Sequence, residues 1–319
     1  MTLKNKIESG QFVLTAELGP PRSSKGDSVR KKSRHFRDIA DGINITDNQT
    51  AIVRLPSIAA SKILVEEGLE PVVQITCRDR NRLALQSDLL GMSALGIHNV
   101  LCLTGDYQSF GNHPEAKGVF DLDSVQLIAA AKRMTQGYFL SGDQIKTPPH
   151  LFIGGAANPF APPLEFRVLR LAKKIKAGAQ FIQTQAVFDL ERFAEWMKRV
   201  RDWGLHEKIA ILAGVMPVKS VKALQYMEKE VPGMTISKDI ISRMEKAEKP
   251  KEEGVKIAVE TIQKLREIKG LQGIHLMPLM WESITPRIAE ESGFLKEKKS
   301  SPRSEKSPEE KQHSREKGK

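Results

Sequence analysis

The chain has 319 residues, of which 40% are hydrophobic and 28% are charged, and these are ordinary values for a globular protein. No apolar run approaches the roughly 20 residues that a membrane-spanning helix needs, and two cysteines exclude a disulfide framework or a four-cysteine metal or cluster site within the chain. The formal net charge is +11, but no aromatic-rich basic strip accompanies it, so an anionic ligand explains it at least as well as nucleic acid does.

The two ends of the sequence differ from the middle in composition. The first residues, Met1-Thr-Leu-Lys-Asn-Lys, lack the apolar core of a signal peptide, so we expect a cytoplasmic protein with no membrane insertion and no bound nucleic acid. Residues 296–319 contain nine Lys or Arg and five Glu, and no aliphatic residue follows Leu295. Such a segment cannot bury enough apolar surface to become ordered. We therefore predict a folded domain over residues 1–295 and a basic disordered tail over residues 296–319.

Strand-like and helix-like segments alternate along the chain. Eight apolar runs have the length and composition of buried strands, namely Phe12–Leu18, Gly42–Thr46, Pro71–Thr76, His98–Leu103, Leu151–Gly155, Phe181–Thr184, Lys208–Leu212 and Gly273–Met277. Helical patterns follow them at Ser28–Ala40, Ser57–Glu67, Arg82–Leu95, Leu122–Met134, Pro163–Ala177, Leu190–Trp203, Ser220–Lys229, about Lys238–Lys269, and Ile284–Ser292.

This alternation predicts an α/β fold, a parallel (β/α)8 barrel of the TIM type with a helical insertion before the eighth strand. The competing fold is an open doubly wound sheet, which would need a glycine-rich phosphate-binding turn after its first strand. The first strand instead runs into Glu17-Leu-Gly-Pro-Pro21, and prolines cannot supply the N–H groups that hold a phosphate. Any nucleotide must therefore bind in another way.

Polar residues are concentrated at the predicted strand ends, which converge at one mouth of such a barrel. The first strand ends near Glu17, and the fourth ends in Thr104-Gly105-Asp106, so two carboxylates are expected there. Further polar residues expected at this mouth are Thr46, Asp47, Asn48, Gln49, Gln74, Thr76, Asn158, Gln183, Gln185 and His275. Amides offer both a donor and an acceptor, so this composition is typical of a site that reads a planar heterocycle.

Structural interpretations remain open for most of these residues. Gly105-Asp106 can be a simple turn, Asp47-Asn48 a helix cap, Glu17 a polar strand end, His275 a satisfied core histidine, and Cys77 and Cys102 buried thiols. Gln183 and Gln185 are harder to explain by packing, because a period of two puts both on one face of a strand.

The predicted helix after the fifth strand is basic. Spacings of three and four place Arg167, Arg170 and Lys174 on one helical face, with Lys173 beside them. Such a face suits a pyrophosphate, and the alternative is a solvated basic surface.

Five segments at the predicted strand ends share a pattern with a known family. They are Phe12–Pro21, Gln74–Cys77, Leu103–Asp106, Gly178–Gln185 and Gly214–Pro217. In this order they resemble the methylenetetrahydrofolate reductases, and the resemblance extends from about residue 10 to residue 292. It implies a flavin-containing barrel that reduces 5,10-methylenetetrahydrofolate to 5-methyltetrahydrofolate, with FAD as the cofactor and FMN as the alternative.

The resemblance also implies roles for individual residues. Glu17 matches the general acid that helps to open the imidazolidine ring of the folate, Asp106 matches an aspartate that contacts the pterin near the flavin, and Gln185 matches the glutamine that holds the folate. The resemblance also implies contacts with the flavin at Thr46, Asp47, Thr104, Gly105, Asp121, Asn158, Arg167, Arg170, Lys173 and Lys174. Of these, Thr46 and Asp47 are implied to lie near the nicotinamide as well.

Several positions depart from the family pattern. Gln74 stands where many members have a histidine beside the flavin, Thr104 replaces an arginine, and Trp281 replaces another arginine after the eighth strand. Ala223 and Met227 stand where a glutamine and a phenylalanine are expected. The third- and eighth-strand motifs resemble the subgroup of acetogenic and related anaerobes, in which a partner protein can deliver electrons.

The departures give two hypotheses about the electron donor. The first is that a second subunit, carrying metal or cluster cofactors, reduces the flavin, so that the chain works as an oligomer or complex subunit. The second is that Gln74, Gln183 and Trp281 form a different substrate and nicotinamide site, with Trp281 stacking on the ring of NAD(P)H. Two other functions stay open: a pterin-binding barrel methyltransferase without a tightly bound flavin, and a non-catalytic subunit of a larger redox complex.

Overall fold

The computed structural model describes residues 1–231 and 233–295, so the predicted tail over residues 296–319 lies outside the described residues. Eight parallel strands form a closed barrel in sequence order, with β8 paired to β1. The strands are β1 Val13–Leu18, β2 Gly42–Ile45, β3 Pro71–Thr76, β4 Asn99–Leu103, β5 Phe152–Ala157, β6 Phe181–Ala186, β7 Ala210–Val215 and β8 Gly273–Leu276. The predicted (β/α)8 barrel is confirmed.

Helices surround the strands in the order that the sequence predicts. They are α1 Leu3–Glu8, α2 Asp27–Ser33, α3 Ser57–Glu66, α4 Arg82–Ala94, α5 Ser124–Thr135, α6 Glu165–Ala177, α7 Leu190–Asp202, α8 Val221–Glu230, α9 Lys238–Lys246, α10 Pro250–Arg266 and α11 Thr285–Glu291. The predicted insertion before the eighth strand consists of α9 and α10. The helix predicted over Ser28–Ala40 is shorter, because α2 passes into a 3₁₀ turn at Arg34–Phe36.

The amino-terminal end of the barrel is closed by α1, which the sequence analysis did not predict. Leu3 and Ile7 point into the barrel, where they join an apolar cluster with Val13, Val72 and Phe181. Lys6 in α1 forms an ion pair of 2.7 Å with the buried Asp41. The bottom of the barrel is therefore a filled core, and ligand chemistry is confined to the opposite end.

The outward faces of the strands pack against the helices in one large apolar core. Cys77 and Cys102 lie in this layer as free, buried thiols, as expected. Burial raises the pKa of Cys77 to about 12, so this thiol stays protonated and unreactive. Within the described ranges, none of the helices combines the length and apolar character that a membrane crossing requires.

Candidate active site

Glu17 lies at the carboxyl end of β1 and faces the barrel interior. Residues 13, 15 and 17 share the inward face because side chains alternate along a strand. Only 9% of Glu17 is exposed. Its Oε2 atom accepts a hydrogen bond of 3.3 Å from Nε2 of Gln74, and Nε2 of His275 lies 3.9 Å away. A buried carboxyl group at the mouth is thus held between an amide and an imidazole.

Gln183 lies deeper than the mouth, and its amide is paired inside the barrel. Its Oε1 and Nε2 atoms form reciprocal hydrogen bonds of 2.6 and 2.9 Å with the Asn44 amide. A register shift between Gln183 and Ala186 interrupts the alternation of β6, so the shared face predicted for Gln183 and Gln185 is not maintained by a regular strand. The half-buried Gln185 accepts from the backbone N–H of Ala186.

Asp47, after β2, anchors the neighbouring strand. Its Oδ2 accepts from the backbone and the hydroxyl of Thr76, at 2.9 and 2.8 Å, and both carboxylate oxygens accept from Arg80. Arg80 also forms an ion pair with Asp88. Through these four hydrogen bonds, Asp47 connects the end of β2 to Thr76 at the end of β3 and to Arg80.

Arg78 joins three mouth loops although only 2% of it is exposed. Its guanidinium forms an ion pair with Asp79 and donates to the backbone carbonyls of Asn48 and Asp106. The Asp79 carboxylate raises the pKa of Arg78, and Arg78 in turn lowers that of Asp79. A side chain at Gly105 would meet Cβ of Arg78 at 2.9 Å, and its φ of +96° also favours glycine.

Asp106 is exposed on the loop after β4, and its Oδ2 accepts from the backbone N–H of Thr50 at 3.2 Å. This bond ties the loop after β2 to the loop after β4. Thr104, just before it, accepts from the backbone N–H of Ser124 at the start of α5. Of the predicted triplet Thr104-Gly105-Asp106, Asp106 is the residue that carries an exposed polar side chain at the mouth.

Asp121 forms an ion pair with Arg82 that includes two side-chain bonds and one bond to the Arg82 backbone N–H. These hydrogen bonds lower the pKa of Asp121 to about 2. Asn158, after β5, caps the backbone N–H of Phe160. Both residues lie on mouth loops, and both shape the backbone there.

The basic helix α6 does not present all four cations on one surface. Arg170 and Lys173 are exposed, but Lys174 is only 6% exposed and donates from Nζ to the carbonyl of Ala156 at 2.5 Å. Burial, and next the charge of Arg170, lower the pKa of Lys174 to about 8. Lys174 therefore points from α6 to the carboxyl end of β5.

Two buried polar atoms in the predicted cofactor set lack a hydrogen-bond partner among the described residues. They are the hydroxyl oxygen of Thr46 and Nε of Arg167. Arg167 uses another nitrogen to donate to the carbonyl of Pro162. Both atoms can donate, and buried donors are almost always paired. A ligand rich in acceptor oxygens and ring nitrogens would supply the missing acceptors.

Trp281, after β8, is half-buried and has a cation over its ring. Nζ of Lys219 lies 5.5 Å from the ring centroid and donates to the carbonyl of Met280. Met227 is buried in the separate apolar cluster around α8 and α9. Lys219 therefore covers part of the aromatic face that a stacked nicotinamide would need.

Four residues of the site were not predicted from the sequence, namely Arg78, Arg80, Thr15 and Asn44. A signal was present for the last two, because a polar residue inside an apolar strand needs a partner. Thr15 shares the inward face of β1 with Glu17, and Asn44 interrupts the apolar Gly-Ile-Asn-Ile run of β2.

Comparison with known proteins gives a consistent result. The sequence model of the family described as methylenetetrahydrofolate reductase matches residues 2–293. The chain is 26% identical to methylenetetrahydrofolate reductase 2 of Schizosaccharomyces pombe, over 92% of this chain and 47% of that protein. It is also 26% identical to a probable NADH-dependent methylenetetrahydrofolate reductase of Oryza sativa subsp. japonica, over 93% of this chain and 51% of that protein. The chain thus spans about half the length of these relatives.

A solved structure shares the fold. It belongs to a protein from Clostridium thermocellum that is described as binding two copies of 5-methyl-5,6,7,8-tetrahydrofolic acid. The TM-score is 0.67 at 16% identity, with 92% of this chain and 99% of the other covered. This similarity shows that the two barrels share an architecture over nearly their whole length.

Proposed function

This chain belongs to the methylenetetrahydrofolate reductase family, and we propose that it reduces 5,10-methylenetetrahydrofolate to 5-methyltetrahydrofolate with a bound flavin. The observation that carries the proposal is the buried Glu17 carboxyl group at the mouth of the barrel, held between Gln74 and His275. A proton donor at this place is what opening of the folate ring requires.

Glu17 serves as the general acid. The carboxyl group gives a proton to the amine nitrogen that leaves when the imidazolidine ring opens, and the remaining nitrogen forms an iminium with the methylene carbon. Addition of a hydride to that carbon gives the methyl group, so substrate, one proton and one hydride account for the product. General acid catalysis of this kind contributes about 10²- to 10⁴-fold.

Asp106 and Gln185 bind the folate in this proposal. The exposed carboxylate of Asp106 accepts from the amino and ring N–H groups of the pterin, and such charge-assisted bonds are roughly twice as strong as neutral ones. Gln183 supports the floor of the folate site through its hydrogen bonds inside the barrel, and Trp281 lines the edge of the site.

The residues present fit a flavin. Thr46 and Arg167 have buried donors without partners among the described residues, and the exposed Arg170 and Lys173 add positive charge on α6 for a pyrophosphate. Lys174 adds its charge from the buried side of the same helix. Asp47, Gln74, Thr104, Gly105, Asp121 and Asn158 would shape the remaining surface for it. When bound there in its reduced form, the flavin would supply the hydride. Because FAD has a pyrophosphate and FMN does not, the positive charge on α6 leads us to propose FAD.

For the electron donor, we propose a second subunit with metal or cluster cofactors, as in the subgroup of acetogenic and related anaerobes. The position of Lys219 over Trp281 supports this proposal, because it leaves less of the aromatic ring for a nicotinamide.

The experiment combines an absorbance spectrum with a half-reaction. The purified chain, reconstituted with FAD, is expected to show flavin bands near roughly 375 and 450 nm, which are properties of the cofactor itself. After reduction with dithionite and removal of excess reductant, addition of 5,10-methylenetetrahydrofolate should reoxidise the flavin and yield 5-methyltetrahydrofolate. A chain that takes up no flavin, or a reduced flavoprotein that does not respond to the folate, would overturn the proposal.

A further inference from the structure

The loop after β2 has a backbone conformation that its sequence does not favour. Asn48, Thr50 and Ala51 have φ angles of +42°, +54° and +55°, although none of them is glycine. Asparagine tolerates the left-handed region, but a β-branched threonine rarely adopts it. Such conformations persist only where the surrounding structure holds them, and they are concentrated at functional sites. The contacts that hold this turn therefore indicate what the turn does.

Arg78 anchors the backbone on both sides of a short connection between this loop and the loop after β4. Its buried guanidinium donates to the carbonyl oxygens of Asn48 and Asp106, each at 3.3 Å. The Asn48 side chain in turn accepts from the backbone N–H of Arg54 at 3.0 Å. With both backbones fixed in this way, the N–H of Thr50 donates to Oδ2 of the Asp106 side chain at 3.2 Å. The left-handed turn thus directs a backbone donor at an exposed carboxylate.

Gly111, on the loop after β4, packs against the same turn. Its φ of −102° is open to any residue, so its own backbone conformation does not require glycine. A Cβ at this position, however, would collide with the carbonyl oxygen of Ala51 and would lie 2.8 Å from the Ala51 Cβ. The two loops therefore approach each other as closely as glycine permits, and this packing helps to hold Ala51 in its left-handed conformation.

The hydrogen bond from Thr50 restricts the direction in which Asp106 presents its acceptors. Asp106 is exposed, so an untethered carboxylate would rotate in the solvent. Each carboxylate oxygen can accept more than one hydrogen bond, and the bond to Thr50 therefore leaves acceptor sites on both oxygens for a ligand. Because the side chain is held in one orientation before a ligand arrives, less conformational entropy is lost on binding.

We propose that Thr50 is a positioning residue, whose backbone N–H holds the Asp106 carboxylate in the orientation that accepts from the amino and ring N–H groups of the pterin. The inference rests on the proposed function, in which Asp106 binds the folate. The turn acts on the orientation of a binding group and not on the proton or the hydride. Its loss should therefore weaken folate binding and leave the chemical step at saturating folate unchanged.

The first test examines the hydrogen bond itself, in the flavoprotein without folate. Amide hydrogen exchange of Thr50 would be followed by NMR. Asp106→Ala should increase the exchange rate of this amide by about tenfold, the scale of one lost hydrogen bond, whereas Asp106→Asn should keep it slow because its amide oxygen still accepts. Equal exchange of the Thr50 amide in the wild type and in Asp106→Ala would overturn the proposal.

The second test measures the consequence for the folate. Thr50→Pro lacks the N–H and has its φ fixed near about −65°, so it should bind 5-methyltetrahydrofolate about tenfold more weakly in titrations of the oxidised flavoprotein. Thr50→Asn keeps the N–H and adopts the left-handed region readily, so it should restore wild-type affinity. In rapid mixing of the reduced protein with saturating 5,10-methylenetetrahydrofolate, all three proteins should reoxidise at the same rate.

A third variant disturbs the turn from the opposite loop and keeps the test decisive if Thr50→Pro does not fold. Gly111→Ala pushes against Ala51 and should weaken folate binding in the same way, with flavin content unchanged. Its matched control is Gly91→Ala on α4, where an added Cβ meets nothing within 4 Å. Affinity in Gly111→Ala equal to that of the control, or a slower step at saturating folate, would reject the positioning role. A wild-type flavoprotein that neither binds nor reduces the folate would reject the proposed function instead.

Discussion

At the scale of single residues, two carboxyl groups at the mouth have different environments. Glu17 keeps a carboxyl group with one amide bond, whereas Asp47 accepts four hydrogen bonds from Thr76 and Arg80. The four donors hold the Asp47 carboxylate in place between Thr76 and Arg80, so its acceptor sites are taken up by the protein. The environments of these two acids therefore predict different roles for them.

We expect Glu17→Gln to lower the folate half-reaction by about 10²-fold or more, which is the scale of general acid catalysis. Glutamine keeps an acceptor oxygen for Gln74, so folding and flavin content should not change. Rapid mixing of the reduced variant with the folate measures the loss, and reduction by an artificial donor is the control because it needs no acid. Unchanged folate turnover in the variant would remove Glu17 from this role.

Asp106→Asn should weaken folate binding by about tenfold, since a charge-assisted bond to the pterin becomes a neutral one and an NH₂ group replaces an acceptor. The amide oxygen can still accept from Thr50, so the loop contact should survive. Titration of the oxidised protein with folate measures the affinity, and Asp106→Ala tests the loop contact in addition. Equal affinity in the wild type and the Asn variant would contradict a pterin contact by Asp106.

At the scale of elements, Lys174 couples α6 to β5 at a cost in stability. Its folded-state pKa of about 8 lies below the ordinary value of 10.5, so the unfolded chain binds more protons between these two values. The free energy of unfolding therefore rises with pH across this window, and below about pH 8 the buried ammonium exerts its full penalty of about 3 kcal/mol.

We expect Lys174→Met, without added flavin, to be more stable than the wild type at pH 7, after the lost bond to Ala156 offsets about 1 kcal/mol of the gain. The difference should shrink by pH 10, where the wild-type amine is neutral. Urea unfolding at both pH values measures it, with the exposed Lys173→Met as control. A difference independent of pH would show that the Lys174 penalty is not one of charge burial.

The sequence predicted elements better than contacts. Each of the eight strands, including the short β2, is recognisable from its apolar run, and the predicted strand ends agree with the structure to within a few residues. Helix α1 was missed because six residues with only Leu3 and Ile7 buried give no periodic pattern. The bond between Asn44 and Gln183 joins residues 139 apart in the chain, so no local pattern could reveal it. Lys174 was expected on an exposed face because spacing defines a helical stripe but not which stripe is buried.

At the scale of the whole molecule, the described residues form one barrel with a single polar mouth. Residues 1–231 and 233–295 contain no further domain beside this barrel, and the relatives that the chain matches are about twice as long. Under the proposed function, a nicotinamide or a protein donor would have to reach the flavin at this mouth.

We expect the isolated flavoprotein to be reduced by NADH more slowly than about 10 s⁻¹, a typical enzyme turnover rate. The reason is that Lys219 covers part of Trp281 and that Met227 is buried away from the mouth. Anaerobic stopped-flow mixing measures the rate, and Lys219→Ala tests whether uncovering the ring increases it. Bleaching faster than this limit in the wild type would remove the need for a protein donor.

Arg78 fixes the conformation of three mouth loops at once. One guanidinium fastens the loops after β2, β3 and β4 to one another from beneath, so these loops take their shape when the barrel folds. The conformational entropy of the loops is then lost during folding and not during capture of a ligand, which favours tight binding from few contacts. It also means that amide hydrogens of these loops should exchange with solvent mainly through opening of the barrel itself. Opening of the barrel and release of the bound ligand would then be a single event.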